Sequence, residues 1–427
     1  MSVDKIRIIW ICHFSNKEIR EKIFLLKQRV NSDFAPWITN MIKGFEKRPD
    51  VDLHIISPHK GMTRLIQQFG HNGLFYHFFK PDLPIVHRKW PRFFPLDKWT
   101  QYIKNRIIVY FMVKRIKPDI ICLIGAENPY YSLSILWLKK FNIPIYIIIQ
   151  GILSDPNIYS SGKKPDVISI GFERKIHREF KYFGIGAPFF CDLIKRDNPA
   201  PIFLGVQMPR AINIAPNNLD TTKEYDFVFF GRLDQSKGIE DLLEALLLVK
   251  NYKSDVTLNV IGLAGKKYFY YLKQMSRKLG ILNNVTFSGY LPTINDVHKE
   301  ALKAKYYVLP TRVEGMASSI IECMLLGLPV ITCRTGGLPY LNKDGITILM
   351  SEPGDVRELA KNMIKIIQSP KLAEELSNKA KEFAIKEFSI EKITDTYLKQ
   401  FKAIIKNYHY GTPIPEELLF YENDFKH

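Results

Sequence analysis

Short apolar runs alternate with amphipathic stretches along most of the chain. The runs have the length of buried strands, and the stretches between them are long enough for helices. This alternation predicts parallel sheets flanked by helices, which places the chain in the α/β class. The strand-like runs cover residues 6–12, 51–57, 119–125, 143–150, 226–230, 256–261, 306–310 and 328–333.

Helical periodicity is clearest in the second half of the chain. A helix should begin near 237–238, because apolar residues then recur at helical spacing, at Ile239, Leu242, Leu243 and Leu246. The apolar run 320–326 is closed by Gly327 and predicts a short buried helix. The stretch 388–407 predicts a late helix.

The length of the chain, 427 residues, exceeds what one hydrophobic core usually serves, so two or three units are expected. The segment 206–224 combines proline, asparagine and threonine and is the best candidate for a linker. It separates an N-terminal domain over residues 1–205 from a C-terminal domain over residues 225–387.

A glycine-bounded loop follows the strand at 226–230. It runs from Gly231 to Gly238 and carries two cations, Arg232 and Lys237. A strand, a glycine loop and a helix start present backbone N–H groups and a helix dipole to an anion. Arginine can hold two phosphate oxygens at once, and lysine adds a point charge. The alternative is a solvated loop with two ordinary surface cations.

Two carboxylates lie eight residues apart further on, at Glu314 and Glu322. Small residues follow Glu314, and these allow a ligand to approach the backbone closely. Glu322 has a structural alternative, because Ser319 and Glu322 fit a capping box at the helix start. A third loop, 335–339, contains two glycines and offers a further nest for an anion.

These three loops together resemble the family-four retaining glycosyltransferases of group 1. The similarity covers residues 225–405 well and the first two hundred residues loosely. It implies the GT-B fold, with two Rossmann-like parallel-sheet domains facing across a cleft. It also implies that the late helix returns to the N-terminal domain, so that residues 388–427 complete it.

The resemblance implies a role for each site residue. Arg232 and Lys237 neutralise the donor's diphosphate, Glu314 faces the transferred sugar, and these three form the catalytic set. Glu322 accepts hydrogen bonds from the ribose. The other donor-binding residues are Gly231, Gly315, Met316, Ala317, Ser318 and Ser319, with Gly262 and Leu291 lining the base and Gln150 near the sugar.

The chain departs from the family pattern in three places. Gln150 stands where many members have a histidine, and glutamine can hydrogen-bond but carries no charge. Tyr340 stands where the family often has glutamate. The usual Gly-Gly near the first strand is replaced by a segment containing His13 and Phe14, which are assigned to the acceptor side.

Charge is distributed unevenly along the chain. The formal net charge is +18, and nearly all of the excess lies in residues 1–210. A basic N-terminal domain suggests an anionic partner such as a membrane surface, a lipid diphosphate or an acidic glycan. Around Trp90, aromatic residues alternate with Arg88, Lys89 and Arg92, which suits an anchor at headgroup level. A loop packed on its own domain is the alternative. Nucleic acid is disfavoured, because no binding module is evident.

Several sequence features bear on the cellular compartment of the protein and on its need for a metal. Apolar runs are too short to span a membrane, and the first is better interpreted as a core strand than as a signal peptide. Five scattered cysteines suggest buried thiols in a reducing compartment. Asp50 and Asp52 match an Asp-x-Asp element, but they precede a strand and are interpreted as a surface turn. A metal-independent cytoplasmic enzyme, peripheral on the inner membrane face, is therefore expected.

The expected reaction is sugar transfer to a hydroxyl of a lipid-linked or surface-polysaccharide precursor, with the configuration retained as in the family. The donor is a nucleotide-diphosphate sugar, and no cofactor is needed. Two alternatives stay open. One is a GT-B nucleotide-sugar epimerase, and the other is a non-catalytic protein that binds nucleotide or polyanion.

Overall fold

The computed structural model describes residues 5–25, 35–46, 48–81, 96–155, 166–210, 222–342 and 344–421. The chain divides into two compact units. The first holds the residues up to Pro209 together with Ile390–Tyr421, and the second holds Arg210–Ser389. Residues 211–221, the centre of the expected linker, lie outside the described residues.

Eight described strands form the sheet of the N-terminal unit, in the order β3-β4-β2-β1-β5-β6-β7-β8. Neighbouring strands are parallel except for the antiparallel hairpin of β3 and β4. The strands are β1 (Ile6–Ile11), β2 (Val51–Pro58), β3 (Ile66–His71), β4 (Leu74–Phe79), β5 (Ile120–Ile124), β6 (Ile145–Ile148), β7 (Tyr182–Ile185) and β8 (Ile202–Gly205).

Helices cover this sheet and close its core. They are α1 (Lys17–Lys22), α2 (Pro36–Phe45), α3 (Leu96–Trp99), α4 (Ile103–Ile116), α5 (Pro129–Ser132), α6 (Ile135–Leu138), α7 (Val167–Glu179) and α8 (Phe189–Lys195). The central strands are buried on both faces, which explains their continuous apolar sequences. Inner residues of α4 pack with those of β1, β5 and β6 in one cluster.

Six described strands form the sheet of the C-terminal unit, all parallel, in the order β11-β10-β9-β12-β13-β14. They are β9 (Tyr225–Phe230), β10 (Leu258–Ile261), β11 (Val285–Gly289), β12 (Ala304–Leu309), β13 (Val330–Cys333) and β14 (Leu349–Ser351). The helices are α9 (Ile239–Tyr252), α10 (Lys266–Lys278), α11 (Ile294–Ala301), α12 (Ser318–Leu326), α13 (Val356–Gln368) and α14 (Pro370–Phe388). Helix α15 (Ile390–Tyr410) belongs to the N-terminal unit.

The predicted fold class is confirmed. Each of the eight strand-like runs contains a strand, and the helices begin at Ile239 and Ser318, close to the predicted starts. One interpretation was wrong. Asp52 does not lie in a surface turn, because it is the second residue of β2 and accepts a 2.7 Å hydrogen bond from Arg7.

Candidate active site

The loop from Gly231 to Gly238 connects β9 to α9 and has a fixed shape. A short 3-10 helix forms at Gln235–Lys237, and Asp234 caps it by accepting a 3.1 Å hydrogen bond from the backbone of Ser236. Gly238 has a φ of 66°, and a Cβ there would lie 1.9 Å from the carbonyl oxygen of Pro310. This close approach requires glycine and seats the loop against the end of β12.

The two cations of this loop differ in exposure to solvent and in their ion-pair partners. Arg232 donates to Asp234, and its side chain is 71% exposed. Hydrogen bonds from Ser236 and Arg232 lower the pKa of Asp234 although burial opposes them. Lys237 is largely buried and donates to Glu314. A ligand can therefore recruit Arg232 at the surface, whereas it must compete with Glu314 for Lys237.

The loop that carries Glu314 is tied to the first loop. Arg312 holds both oxygens of Asp241 at 2.8 and 2.6 Å, which anchors the loop to α9. The backbone N–H of Arg312 donates to the carbonyl of Ser236 at 2.8 Å. These contacts bring the predicted sugar loop and diphosphate loop together, and the sequence analysis missed Arg312.

The third loop packs directly on the second. Gly336 has a φ of 57°, and a Cβ there would lie 1.6 Å from the carbonyl oxygen of Glu314. Gly337 donates its backbone N–H to Gly315 at 2.7 Å. All three loops follow carboxyl ends of parallel strands, at β9, β12 and β13, which are neighbours in the sheet. Ligands of open parallel sheets bind at such an edge.

Helix α12 begins at Ser318, and no side chain of the described residues caps it. The capping-box alternative for Ser319 and Glu322 is therefore wrong. The Ser319 hydroxyl instead lies 2.7 Å from that of Tyr307, which donates to the carbonyl of Phe230 at 3.2 Å. The first turn keeps its positive end available to an anion.

Glu322 is held by residues that the sequence analysis missed. His298, which is only 2% exposed, lies with Nε2 3.0 Å from the carboxylate. Arg210 is half-buried nearby and donates to Ser318 at 2.6 Å. Burial lowers the pKa of Arg210, and the charge of Glu322 opposes that shift. A lone histidine in a helix and an arginine in a predicted linker give no sequence signal for this role.

The residues predicted to line the base lie beside these loops. Gly262 follows β10, and a Cβ there would lie 1.8 Å from the carbonyl oxygen of Gly231. Its backbone N–H donates to Gly289 at 2.8 Å, which joins the ends of β10 and β11. Leu291 follows β11 and is half-buried. Gly262 thus serves the close approach of two strand ends, whatever else it contacts.

In the N-terminal unit, His13 and Phe14 follow β1 but differ in exposure. Nδ1 of His13 lies 2.6 Å from the hydroxyl of Tyr130. Burial, followed by the charges of His59 and Lys60, lowers the pKa of His13 to about 4, so the ring is neutral at pH 7. Phe14 is completely buried and packs with aromatic neighbours, which leaves it no surface for an acceptor.

Gln150 and Glu127 follow adjacent strands, β6 and β5, at the carboxyl edge of this sheet. Nε2 of Gln150 and Oε2 of Glu127 are shielded from solvent, and neither has a hydrogen-bond partner among the described residues. Oε1 of Glu127 accepts from Asn128 at 3.0 Å. Burial, aided by the charge of Glu173, raises the pKa of Glu127 to about 8. A carboxylate three residues after a buried strand was the signal that could have identified Glu127.

The predicted membrane-side residues Arg88, Lys89, Trp90 and Arg92 lie outside the described residues. Within the described ranges, no helix combines the length and the apolar character needed to cross a bilayer.

The sequence comparisons relate the C-terminal unit to a known family. Residues 212–383 match the family model described as glycosyl transferases group 1. The lipopolysaccharide core biosynthesis glycosyltransferase LpsE of Rhizobium meliloti is 24% identical over 233 residues, which cover 55% of this chain and 59% of LpsE. The chain spans about half the length of the curated relatives it matches.

Solved structures define the fold more closely. Sucrose-phosphate synthase from Thermosynechococcus elongatus superposes with a TM-score of 0.66 at 14% identity, covering 93% of this chain and 98% of that one. Anabaena HepE in complex with UDP and glucose gives 0.65 at 16% identity, covering 93% and 100%. The chain therefore has the GT-B fold of these glycosyltransferases.

Proposed function

We propose that this protein transfers a sugar from a nucleotide-diphosphate sugar to a hydroxyl acceptor, with retention of configuration and without a metal. The observation that carries the proposal is the convergence of three loops at one sheet edge. They place Arg232, Lys237, Glu314 and the open start of α12 together. The match to the group 1 family model and the UDP complexes of HepE support a nucleotide-sugar donor.

The donor is held by complementary charge. Its diphosphate is bound by Arg232, Lys237 and the backbone N–H groups at the start of α12, because each of these is cationic or carries partial positive charge. Glu322, positioned by His298, accepts hydrogen bonds from the ribose hydroxyls. Glu314 is released from Lys237 and turns to the hydroxyls of the transferred sugar. No metal is needed if these groups stabilise the charge that develops on the leaving diphosphate.

The chemical step breaks the bond between C1 of the sugar and the diphosphate oxygen. The acceptor oxygen then bonds to C1 on the same face, through an oxocarbenium-like transition state. The proton of the acceptor hydroxyl moves to an oxygen of the departing phosphate, so atoms and charge balance without a protein base. Arg232 and Lys237 lower the barrier by stabilising that phosphate, a contribution of several kcal/mol at sites of this kind.

The acceptor is bound by the N-terminal unit. Glu127 and Gln150, at the carboxyl edge of its sheet, each carry a polar atom without a described partner, and a hydroxyl can both donate to and accept from such atoms. The basic character of this half of the chain favours an anionic acceptor, such as a lipid-linked or surface-polysaccharide precursor. The name of LpsE is consistent with this class. We place the enzyme in the cytoplasm, peripheral on an anionic membrane.

The test is thermal unfolding with UDP, GDP, ADP and CMP, in the presence and absence of chelator. A ligand at about a hundred times its dissociation constant stabilises a protein by about 2.7 kcal/mol and raises the midpoint by several degrees. We expect one nucleotide diphosphate to do so, equally in chelator. Arg232→Ala should abolish the shift, and Arg277→Ala, which changes an exposed arginine on α10, should keep it.

A shift that needs a divalent metal would overturn the metal-free mechanism. No shift with any nucleotide, while the protein remains folded, would overturn the donor site. Once the donor is known, the product anomer is determined by NMR, and an inverted configuration would overturn retention.

A further inference from the structure

Helix α4 carries apolar residues on both of its faces. The inner face is buried in the core of the N-terminal unit through Ile108, Val109, Met112, Val113 and Ile116. The outer face bears Ile103, Ile107 and Phe111, each four residues after the last, and they are 46%, 41% and 60% exposed. Residues four apart lie above one another on a helix, so these three form a continuous stripe.

The same outer face is cationic. Lys114 and Arg115 are exposed beside the stripe, and Lys117 is exposed directly after the helix. The sequence contains no acidic residue between Asp97 and Asp119. Such a helix presents apolar side chains and positive charge to the outside and nothing negative.

An exposed tryptophan adjoins the helix. Trp99 ends α3, four residues before Ile103, and is 66% exposed. Tryptophan favours the boundary between hydrocarbon and headgroups, where its ring is buried and its N–H remains hydrated. Scattered exposed apolar residues need no explanation, but a stripe with flanking cations and a tryptophan matches helices that lie in a membrane interface.

We propose that the outer face of α4, together with Trp99, docks the N-terminal unit on an anionic lipid surface. Ile103, Ile107 and Phe111 enter the headgroup boundary while Lys114, Arg115 and Lys117 meet lipid phosphates. A second copy of this chain fits less well, because two such faces would set cations against cations. The inference deepens the proposed function by naming the surface that brings the enzyme to a lipid-linked acceptor.

The experiment is co-sedimentation of the whole protein with phosphatidylcholine vesicles, with and without phosphatidylglycerol. We expect binding only to the anionic vesicles, reduced by added salt. Phe111→Ser should weaken binding about tenfold, because the ring loses its burial in lipid. The double variant Lys114→Glu and Arg115→Glu should weaken it at least as much, since each cation contributes about fivefold. Ile385→Ser, on an exposed apolar residue of α14 in the other unit, is the matched control.

Each outcome decides the inference. Binding that fails in the wild type, or that survives Phe111→Ser unchanged, would overturn it. So would a dimer in light scattering that Phe111→Ser dissociates, because the face would then be a contact between copies. The nucleotide-induced thermal shift is recorded on the same proteins, so a failure of vesicle binding is distinguished from a failure of the donor site.

Discussion

Lys237 and Glu314, one assigned to the donor's phosphates and the other to its sugar, form an ion pair with each other. Both side chains are largely buried, so the pair is shielded from solvent. The two charges therefore neutralise each other at this point of the site. In the proposed mechanism, donor binding exchanges this pair for two new ones, phosphate with Lys237 and sugar hydroxyls with Glu314.

Glu314→Gln should separate binding from transfer. The substitution keeps the size of the side chain but removes the charge that competes for Lys237. We expect the nucleotide diphosphate to bind about tenfold more tightly, equivalent to about 1.4 kcal/mol, and transfer to fall. Calorimetric titration with the nucleotide measures the first effect, and product formation measures the second. Glu352→Gln, which breaks an exposed pair with Arg334, should change neither. Weaker nucleotide binding in Glu314→Gln would contradict this account.

His298 should act on the nucleotide through Glu322. Because His298 is buried and lies 3.0 Å from the carboxylate, His298→Ala removes the group that positions it. We expect His298→Ala and Glu322→Ala each to weaken nucleotide binding. The double variant should be little worse than either single one, since residues acting as a unit are not additive. Fully additive losses would show that His298 serves the fold alone, and His298→Gln should restore part of the binding.

Gly238→Ala should destabilise the C-terminal unit. The new methyl group would collide with the carbonyl oxygen of Pro310, 1.9 Å away, at a backbone conformation that alanine avoids. We expect a loss of about 3 kcal/mol in denaturant unfolding. The control is Gly265→Ala, because Gly265 has a φ of −62° and no described atom lies within 4 Å of a Cβ there. That variant should be neutral or slightly more stable. Equal effects at the two positions would contradict the structure.

The stability of the protein should depend on pH through Glu127. Its pKa in the folded protein is about 8, above the ordinary value of 4.5, so the folded state holds a proton that the unfolded chain loses. Stability should therefore fall as the pH rises from about 4.5 to about 8 and then level off. Glu127→Gln removes this contribution, so its advantage over the wild type should grow across the same range.

Thermal unfolding at pH 5 and pH 8.5 measures this difference. Glu173, whose pKa is raised to about 7 by burial, remains in the variant and leaves part of the pH dependence. Glu417→Gln, which changes an exposed residue, is the control and should follow the wild type. A constant offset between Glu127→Gln and the wild type would mean that Glu127 is already ionised at pH 5.

The sequence predicted eight strands whose burial leaves apolar runs, namely β1, β2, β5, β6, β9, β10, β12 and β13. It missed the interior strands β4 and β7 and all four strands at the sheet edges. Two of those edge strands show why. Strand β3, Ile66–His71, alternates exposed and half-buried positions, and β14 has only three residues, Leu349–Ser351. Neither leaves a pattern that distinguishes it from a loop. The hairpin of β3 and β4 also breaks the parallel order, which periodicity alone does not reveal.

The site residues that lie in loops directly after strands could be predicted from the sequence. Glycines in these loops mark close approaches: a Cβ at Gly238 would lie 1.9 Å from the carbonyl oxygen of Pro310, and one at Gly336 would lie 1.6 Å from that of Glu314. Partners contributed from distant segments, such as His298 and Arg210, were not predictable. Their positions depend on how α11 and the segment after Pro209 pack, and no local pattern records that packing.

Arg312 links two loops of the candidate site, so nucleotide binding at one loop should affect the other. It is fastened to Asp241 through two hydrogen bonds and to Ser236 through its backbone, so it joins the loop at 231–238 to the loop that bears Glu314. Amide hydrogen exchange in both loops should therefore slow in step when nucleotide binds. If the proposed function holds, transfer of the sugar should weaken the binding of the phosphates as well, so the completed reaction should favour release of the spent nucleotide.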